Sequence, residues 1–313
     1  VDAAIGRAFG DDLDAAARAG LGTRGVVVLK DGRVVGERYA DGFTADTPQL
    51  GWSMSKSVTN LLAGRLALEG TVAPQDHDLP QLPGDKAAIT VDDLMRMTSG
   101  LSWDETYDLG TPITRMLFME PDMGSYVASL PVAHAPGAYQ QYSSGSTTLL
   151  CDVLGEKAGA KADLPRRELL APLGLSRATW EPDASGTPVC GSYLWATPRE
   201  WATIGWFALN DGVWNGRRML PEGWMARSTT AEPVEQTQED EGYGAGWWLN
   251  TRPDGSPVAP GLPADAYRAV GHDGQRVYVV PSEGLVVVRM GFSPSADDLR
   301  TDALVADVIA ALR

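Results

Sequence analysis

The chain has 313 residues, 43% of them hydrophobic and 21% charged, enough apolar side chains for one large core or two smaller ones, and disorder is excluded. A net charge of −15 with no Lys/Arg run excludes a nucleic-acid partner, because neutralising phosphates requires basic stripes. No stretch of 18 apolar residues is present, so no membrane span is expected.

A helix is expected in residues 11–19, followed by "GVVVLKDGRVVGERYA" (25–40), two β-branched runs around a Lys-Asp-Gly turn that read as a hairpin. From there to about residue 230 the apolar positions follow helical spacing, in "VTNLLAGRLALEG" (58–70), "VDDLMRMTSG" (91–100), "SSGSTTLLCDVLGEKAG" (143–159) and "PREWATIGWFALNDG" (198–212). Strand signals return in "AYRAVGHDG" and in "RVYVVPSEGLVVVRMG" (276–291), where a Pro/Gly turn separates two strands. The final "SADDLRTDALVADVIAALR" opens on Ser295, Asp297 and Asp298 and predicts a C-terminal helix lying on the sheet, partnered by the helix in 11–19. Strands at both chain ends enclosing helices imply one antiparallel sheet sewn from the two ends. The expected division is a sheet domain of residues 1–58 with 232–313, a mainly helical domain of 59–231, and a site between them.

Cys151 and Cys190 match neither CxxC nor a disulfide framework and read as two buried or half-buried free thiols. His77, His134 and His272 are scattered, with no HExxH or Cys/His cluster, so no metal and no cofactor is expected.

Three stretches carry possible chemistry. In "GWSMSKSVTN" (51–60), Ser53 and Lys56 stand three residues apart where a loop becomes a helix, so hydroxyl and amine share one face. A nucleophile there has its developing negative charge opposed by the helix dipole, and a desolvated lysine can accept its proton. Only five of the 26 basic residues are lysines, so Lys56 beside Ser53 is not a product of abundance. Tyr142 precedes two serines at a predicted helix start, which also reads as a core tyrosine beside a serine cap. The Gly-flanked His272-Asp273-Gly274 leads into a strand, a pattern that fits either close backbone approach to a ligand or a simple turn.

Taken in order, Ser53-Met54-Ser55-Lys56, Tyr142-Ser143-Ser144 and His272-Asp273-Gly274 resemble the S-x-x-K, Y-x-N and K-T-G elements of the penicillin-recognising serine hydrolases. The resemblance is to the class C β-lactamase-like branch, which includes esterases and 6-aminohexanoate-dimer hydrolases. "LMRMTSGLSWDE" (94–105), the run 191–224 and "GYGAGWWLN" (242–250) extend it from about residue 25 to the C-terminus. It implies an α+β, β-lactamase-like fold, with an antiparallel sheet flanked by helices plus a mainly helical lobe. It also implies that Ser53 is acylated, that Lys56 helps remove its proton, and that Tyr142 shuttles protons. Backbone N–H groups of Ser53 and Gln275 would hold the oxyanion, at about 3 kcal/mol per donor.

Two departures bear on substrate. Ser144 stands where the family has Asn, and His272 where it has Lys, a residue mostly uncharged at neutral pH in place of a cation. Esters or linear amides are therefore expected over β-lactams. Substrate-binding residues implied by position are His272, Gly274, Ser144, Trp103, Tyr107 and Trp195, with Tyr243, Trp247 and Trp248 as possible additions and Asp104 and Glu105 as attractors of an amine. The reading is a serine esterase or amidase acting on a small-molecule ester or amide. The enzyme alternatives are a 6-aminohexanoate-oligomer hydrolase, a weak β-lactamase and a D-amino-acid peptidase; from another class comes a non-catalytic acyl-binding sensor or cell-wall-binding module. Monomer and homodimer are both compatible, as are cytoplasmic and periplasmic bacterial locations, and the chain begins with Val rather than Met, which fits the trimming of a start codon, a tag or a signal segment.

Overall fold

Asp31 and Gly32 both take positive φ, 49° and 76°, the pair of left-handed residues that a two-residue hairpin turn requires. They join β1 (Thr23–Lys30) to β2 (Arg33–Tyr39). The structure is a computed structural model that describes residues 1–294, 296 and 298–313. Four strands from the far end of the chain, β3 (Trp248–Leu249), β4 (Tyr267–Gly271), β5 (Gln275–Val280) and β6 (Leu285–Gly291), complete an antiparallel six-stranded sheet of order β3-β4-β5-β6-β1-β2.

The sheet is buried on both faces, which explains why β1 and β6 read as nearly continuous apolar runs rather than alternating ones. Val26 and Val28 point to one core with Val287 and Tyr278, while Val27 and Leu29 point to the other with Val286 and Val288. On the first face lie α1 (Asp2–Ala8), through Ala4, Ile5 and Ala8, and α10 (Thr301–Leu312), through Leu304, Val305 and Val308. The expected partner in 11–19 is thus corrected. The helix there, α2 (Ala15–Leu21), buries only Leu21, because Ala15-Ala16-Ala17-Arg18-Ala19-Gly20 offers no large apolar stripe. Of the residues expected to open the last helix, Ser295 and Asp297 lie outside the described residues, and α10 itself begins at Thr301.

The second face is covered by α8 (Pro198–Leu209), whose start is fixed by Pro198 and by the reciprocal capping of Thr197 and Glu200. A domain boundary at residue 232 would separate this helix from the strands it covers. The remaining α-helices among the described residues are α3 (Ser55–Leu68), α4 (Val91–Arg96), α5 (Pro112–Met119), α6 (Met123–Ser129), α7 (Ser144–Lys157) and α9 (Trp224–Ser228). One continuous apolar core joins them to the sheet through Val58, Leu61, Leu62, Leu149 and Phe207. Among the described residues no helix is long and apolar enough to cross a membrane.

Cys151 and Cys190 are not free thiols but a disulfide, with Cα atoms 6.0 Å apart. Cys151 lies on α7 and Cys190 on the segment that the strand pairing Gln49–Leu50 with Leu194–Ala196 draws alongside it. That juxtaposition is tertiary, and a spacing of 39 residues matches no framework pattern.

Candidate active site

Ser53 stands on a single 3-10 turn, Trp52–Met54, that runs directly into α3. Trp52 adopts φ 48°, a conformation that costs a non-glycine residue on the order of 1 kcal/mol and that sharply bends the chain before Ser53. Two glycines let this bend approach its supports. A Cβ on Gly51 would lie 2.1 Å from the Trp201 ring, and one on Gly271 at the end of β4 would lie 2.1 Å from the Gly51 carbonyl oxygen. The bend is pinned further by Gly51 N–H donating to Leu194 O (2.9 Å) and Leu194 N–H donating to Ser55 Oγ (3.2 Å).

One turn on, Lys56 is fully buried with its ammonium held by three acceptors: Ser53 Oγ at 3.0 Å, Ser144 Oγ at 2.8 Å and Gly191 O at 2.8 Å. Burial pushes the amine down to about 8, with the nearby Glu105 carboxylate opposing that fall. Ser143 caps α7 by accepting from Ser146 N–H, and this cap sets the directions of its neighbours, Tyr142 before it and Ser144 after it. The Tyr142 hydroxyl faces Ser53, and its ring lies 4.7 Å from Lys56 Nζ. Burial, reinforced by Tyr243 and Glu105, holds Tyr142 well above the ordinary phenol range, so it remains a proton donor. The structure therefore brings Tyr142, 86 residues beyond Lys56 in the chain, against the adjacent pair Ser53 and Lys56.

The third element forms the opposite wall. Asp273 (φ 55°) and Gly274 (φ 88°) make the turn between β4 and β5, and the buried Arg289 donates to Gly274 O at 2.9 Å. A Cβ at Gly274 would fall 2.3 Å from that guanidinium, so glycine is required. Gln275 is buried and its side-chain amide clasps Gly291 in both directions, at 2.6 Å and 2.9 Å. His272 remains half exposed, stacked on Tyr107 at 5.3 Å and edge-on to Trp52 at 5.8 Å.

The expected substrate contacts divide. Trp103 lines a cleft of about 730 Å³ beside Tyr142, together with Asp104, Glu105, Glu239 and Trp248. Tyr107 and His272 belong to a separate aromatic cluster with Trp52 and Tyr193, and none of the four is among the residues that line this cleft. Ser144 is corrected: it is fully buried and its hydroxyl is engaged by Lys56 and Glu105, so it faces the base rather than the cleft. Trp195 is not among the residues that line this cleft, and its indole N–H donates to Glu181, one residue past the strand that pairs with it. Trp247 is a core residue whose indole donates to Asn60, and Tyr243 lies behind Tyr142 at 5.7 Å. Glu239, which accepts from Tyr142 N–H at 3.0 Å, and Tyr193 were not legible in the sequence. A Gly-Ser-Tyr run is the only local sign of Tyr193, and nothing local marks Glu239.

The family model for "Beta-lactamase" matches residues 7–310. A 6-aminohexanoate-dimer hydrolase of Paenarthrobacter ureafaciens is 24% identical over 301 residues, 88% of this chain and 74% of that protein. Among solved structures, EstCE1, a hydrolase with promiscuous acyltransferase activity, superposes with a TM-score of 0.76 at 17% identity, covering 97% of this chain and 98% of its own. A beta-lactamase/D-alanine carboxypeptidase from Yersinia pestis superposes with a TM-score of 0.72 at 18% identity, covering 98% and 97%. With a match over nearly its whole length, this chain belongs to the beta-lactamase family and is a hydrolase of that family.

Proposed function

We propose that the protein cleaves carboxylic esters or linear amides through an acyl-enzyme on Ser53. The observation that carries this reading is a fully buried lysine amine, lowered to about 8, placed 3.0 Å from the Ser53 hydroxyl. In the acylation step Lys56 Nζ takes the Ser53 proton as Oγ bonds to the substrate carbonyl carbon. The bond to the leaving oxygen or nitrogen then breaks as Tyr142 gives that atom its proton, and Tyr142 is reprotonated from the Lys56 ammonium. Water reverses the sequence, releasing the acid and freeing Ser53. Backbone N–H groups of Ser53 and Gln275 are the oxyanion donors in this scheme.

The test is steady-state hydrolysis of p-nitrophenyl butyrate by wild type and Ser53→Ala. Wild-type turnover and a loss of at least about 10⁴-fold in the variant are expected; equal rates would falsify the assignment of Ser53. Wild-type labelling at Ser53 without turnover would move the reading to a non-catalytic acyl-binding module. A narrower substrate, a linear aminoacyl amide such as the 6-aminohexanoate dimer, is favoured by the Paenarthrobacter relative and by the carboxylates of Asp104, Glu105 and Glu239 along the cleft. Release of 6-aminohexanoate from that dimer, measured against the ester rate, decides whether this narrower reading holds.

A further inference from the structure

Among the described residues, Glu105 is the one carboxylate in direct contact with the hydrogen-bond chain that ends at Lys56. Its Oε2 accepts from Ser144 N–H at 2.9 Å and from the Trp103 indole N–H at 2.5 Å, and its Oε1 accepts from the Ser144 hydroxyl. Trp103 is itself fixed, because its ring lies against Gly145 in the first turn of α7, where a Cβ would approach to 2.4 Å. Three donors thus hold one side chain from a loop that has no secondary structure at this point.

The polarity of this chain has a consequence for the base. A carboxylate offers only acceptors, so the Ser144 proton goes to Glu105 and Ser144 Oγ turns a lone pair to Lys56. Gly191 O, also at 2.8 Å, offers only acceptors too. A neutral amine has two protons and one lone pair. With both protons taken by Ser144 and Gly191, the lone pair is left facing Ser53 at 3.0 Å. We infer that Glu105 is a positioning residue that, through Ser144, aims the lone pair of Lys56 at the nucleophile. The inference rests on the proposed role of Ser53 and Lys56, and it names a residue outside the three motifs.

Replacing Glu105 by Gln would invert the chain. The Ser144 N–H and Trp103 N–H would retain the amide oxygen, which leaves the amide NH₂ facing Ser144 Oγ. Ser144 would then have to send its own proton toward Lys56, competing with Ser53 for the lone pair. The charged groups around this chain are few. Lys56 faces Glu105, with Tyr142 beside both; Glu239, Tyr107 and Tyr243 border Glu105, and Asp240 and Glu241 lie behind Glu239. Loss of the Glu105 charge removes support for the ammonium, so the acid limb of the kcat/KM profile moves to lower pH.

The experiment compares kcat/KM for p-nitrophenyl butyrate from pH 5.5 to 10 in wild type, Glu105→Gln, Ser144→Ala and Glu105→Gln/Ser144→Ala, with Ser53→Ala as control. Glu105→Gln is expected to lose about 100-fold on the plateau and to shift its acid limb down by about one pH unit. Ser144→Ala, which removes an acceptor but adds no competitor, is expected to lose less. The double variant, lacking the inverted hydroxyl, is expected to recover about tenfold over Glu105→Gln. A double variant no better than Glu105→Gln, with unshifted profiles, overturns the inference and leaves Glu105 a loop anchor. Should Glu105→Gln not fold, Ser144→Ala decides: a plateau kcat/KM equal to that of wild type overturns it. Activity surviving in Ser53→Ala would instead overturn the functional reading beneath it.

Discussion

Lys56→Met tests the cost of keeping the Lys56 amine buried. Lys56 titrates at about 8 in the folded protein against 10.5 for its ordinary value, with burial the leading cause. At about 1.4 kcal/mol per pH unit, that difference is roughly 3 kcal/mol of stability linked to one proton. Between pH 8 and 10.5 the unfolded chain holds this proton and the folded chain does not, so wild-type stability should climb through that window relative to Lys56→Met. The contribution is fully present above 10.5 and lost as pH falls through 8. The assay is urea unfolding of both proteins at half-unit steps from pH 7 to 10.5, read as the difference between them, so that tyrosines common to both cancel. The difference should change by about 3 kcal/mol, in favour of wild type as pH rises. Its absolute value is less informative, because methionine also leaves Gly191 O and Ser144 Oγ without their donor. Parallel pH dependences in the two proteins would refute the reasoning. The kinetic counterpart is a wild-type kcat/KM that falls about tenfold per pH unit below an inflection near 8.

Tyr142→Phe keeps the ring stacked on Trp248 but removes the proton donor, and should lower kcat about 10²- to 10⁴-fold with little change in KM, in the same ester assay. Cys151→Ala/Cys190→Ala opens a link across 39 residues and should cost about 4 kcal/mol on a chain-entropy basis, read as a lower urea midpoint. The same variant frees the segment that presents Gly191 O to Lys56, so its acid limb should broaden or move, whereas a purely stabilising link would leave the profile in place. Gly145→Ala drives a methyl group to 2.4 Å from the Trp103 ring and should destabilise by about 1–3 kcal/mol; an unchanged unfolding midpoint would mean that the ring is not seated there.

Local chemistry was sufficient to locate the strands of both hairpins, several of the central helices and the Ser53/Lys56 pair. The Lys30–Arg33 turn, the capped starts of α4 and α8, and the three-residue spacing of Ser53 and Lys56 are written in neighbouring residues, and the protein follows them. What the sequence left undecided was everything that depends on which distant segments meet. The pairing of Cys151 with Cys190 follows from α7 passing beside the strand at Leu194, a contact with no signature in either cysteine's surroundings. The choice of α1 over α2 as partner of α10 was settled by which helix had a large apolar side chain on its inner face, Ile5, near the sheet end. Ser144 looked like a substrate contact because its position in the motif is one, yet burial against Lys56 and Glu105 turned it inward. Glu105, read from sequence as an attractor of a substrate amine, enters the surroundings of Lys56 only because its loop packs against the start of α7. A motif fixes which functional groups are available; the charges and acceptors that tune them come from segments 39 to 135 residues away, and only tertiary contact brings these into a dry site.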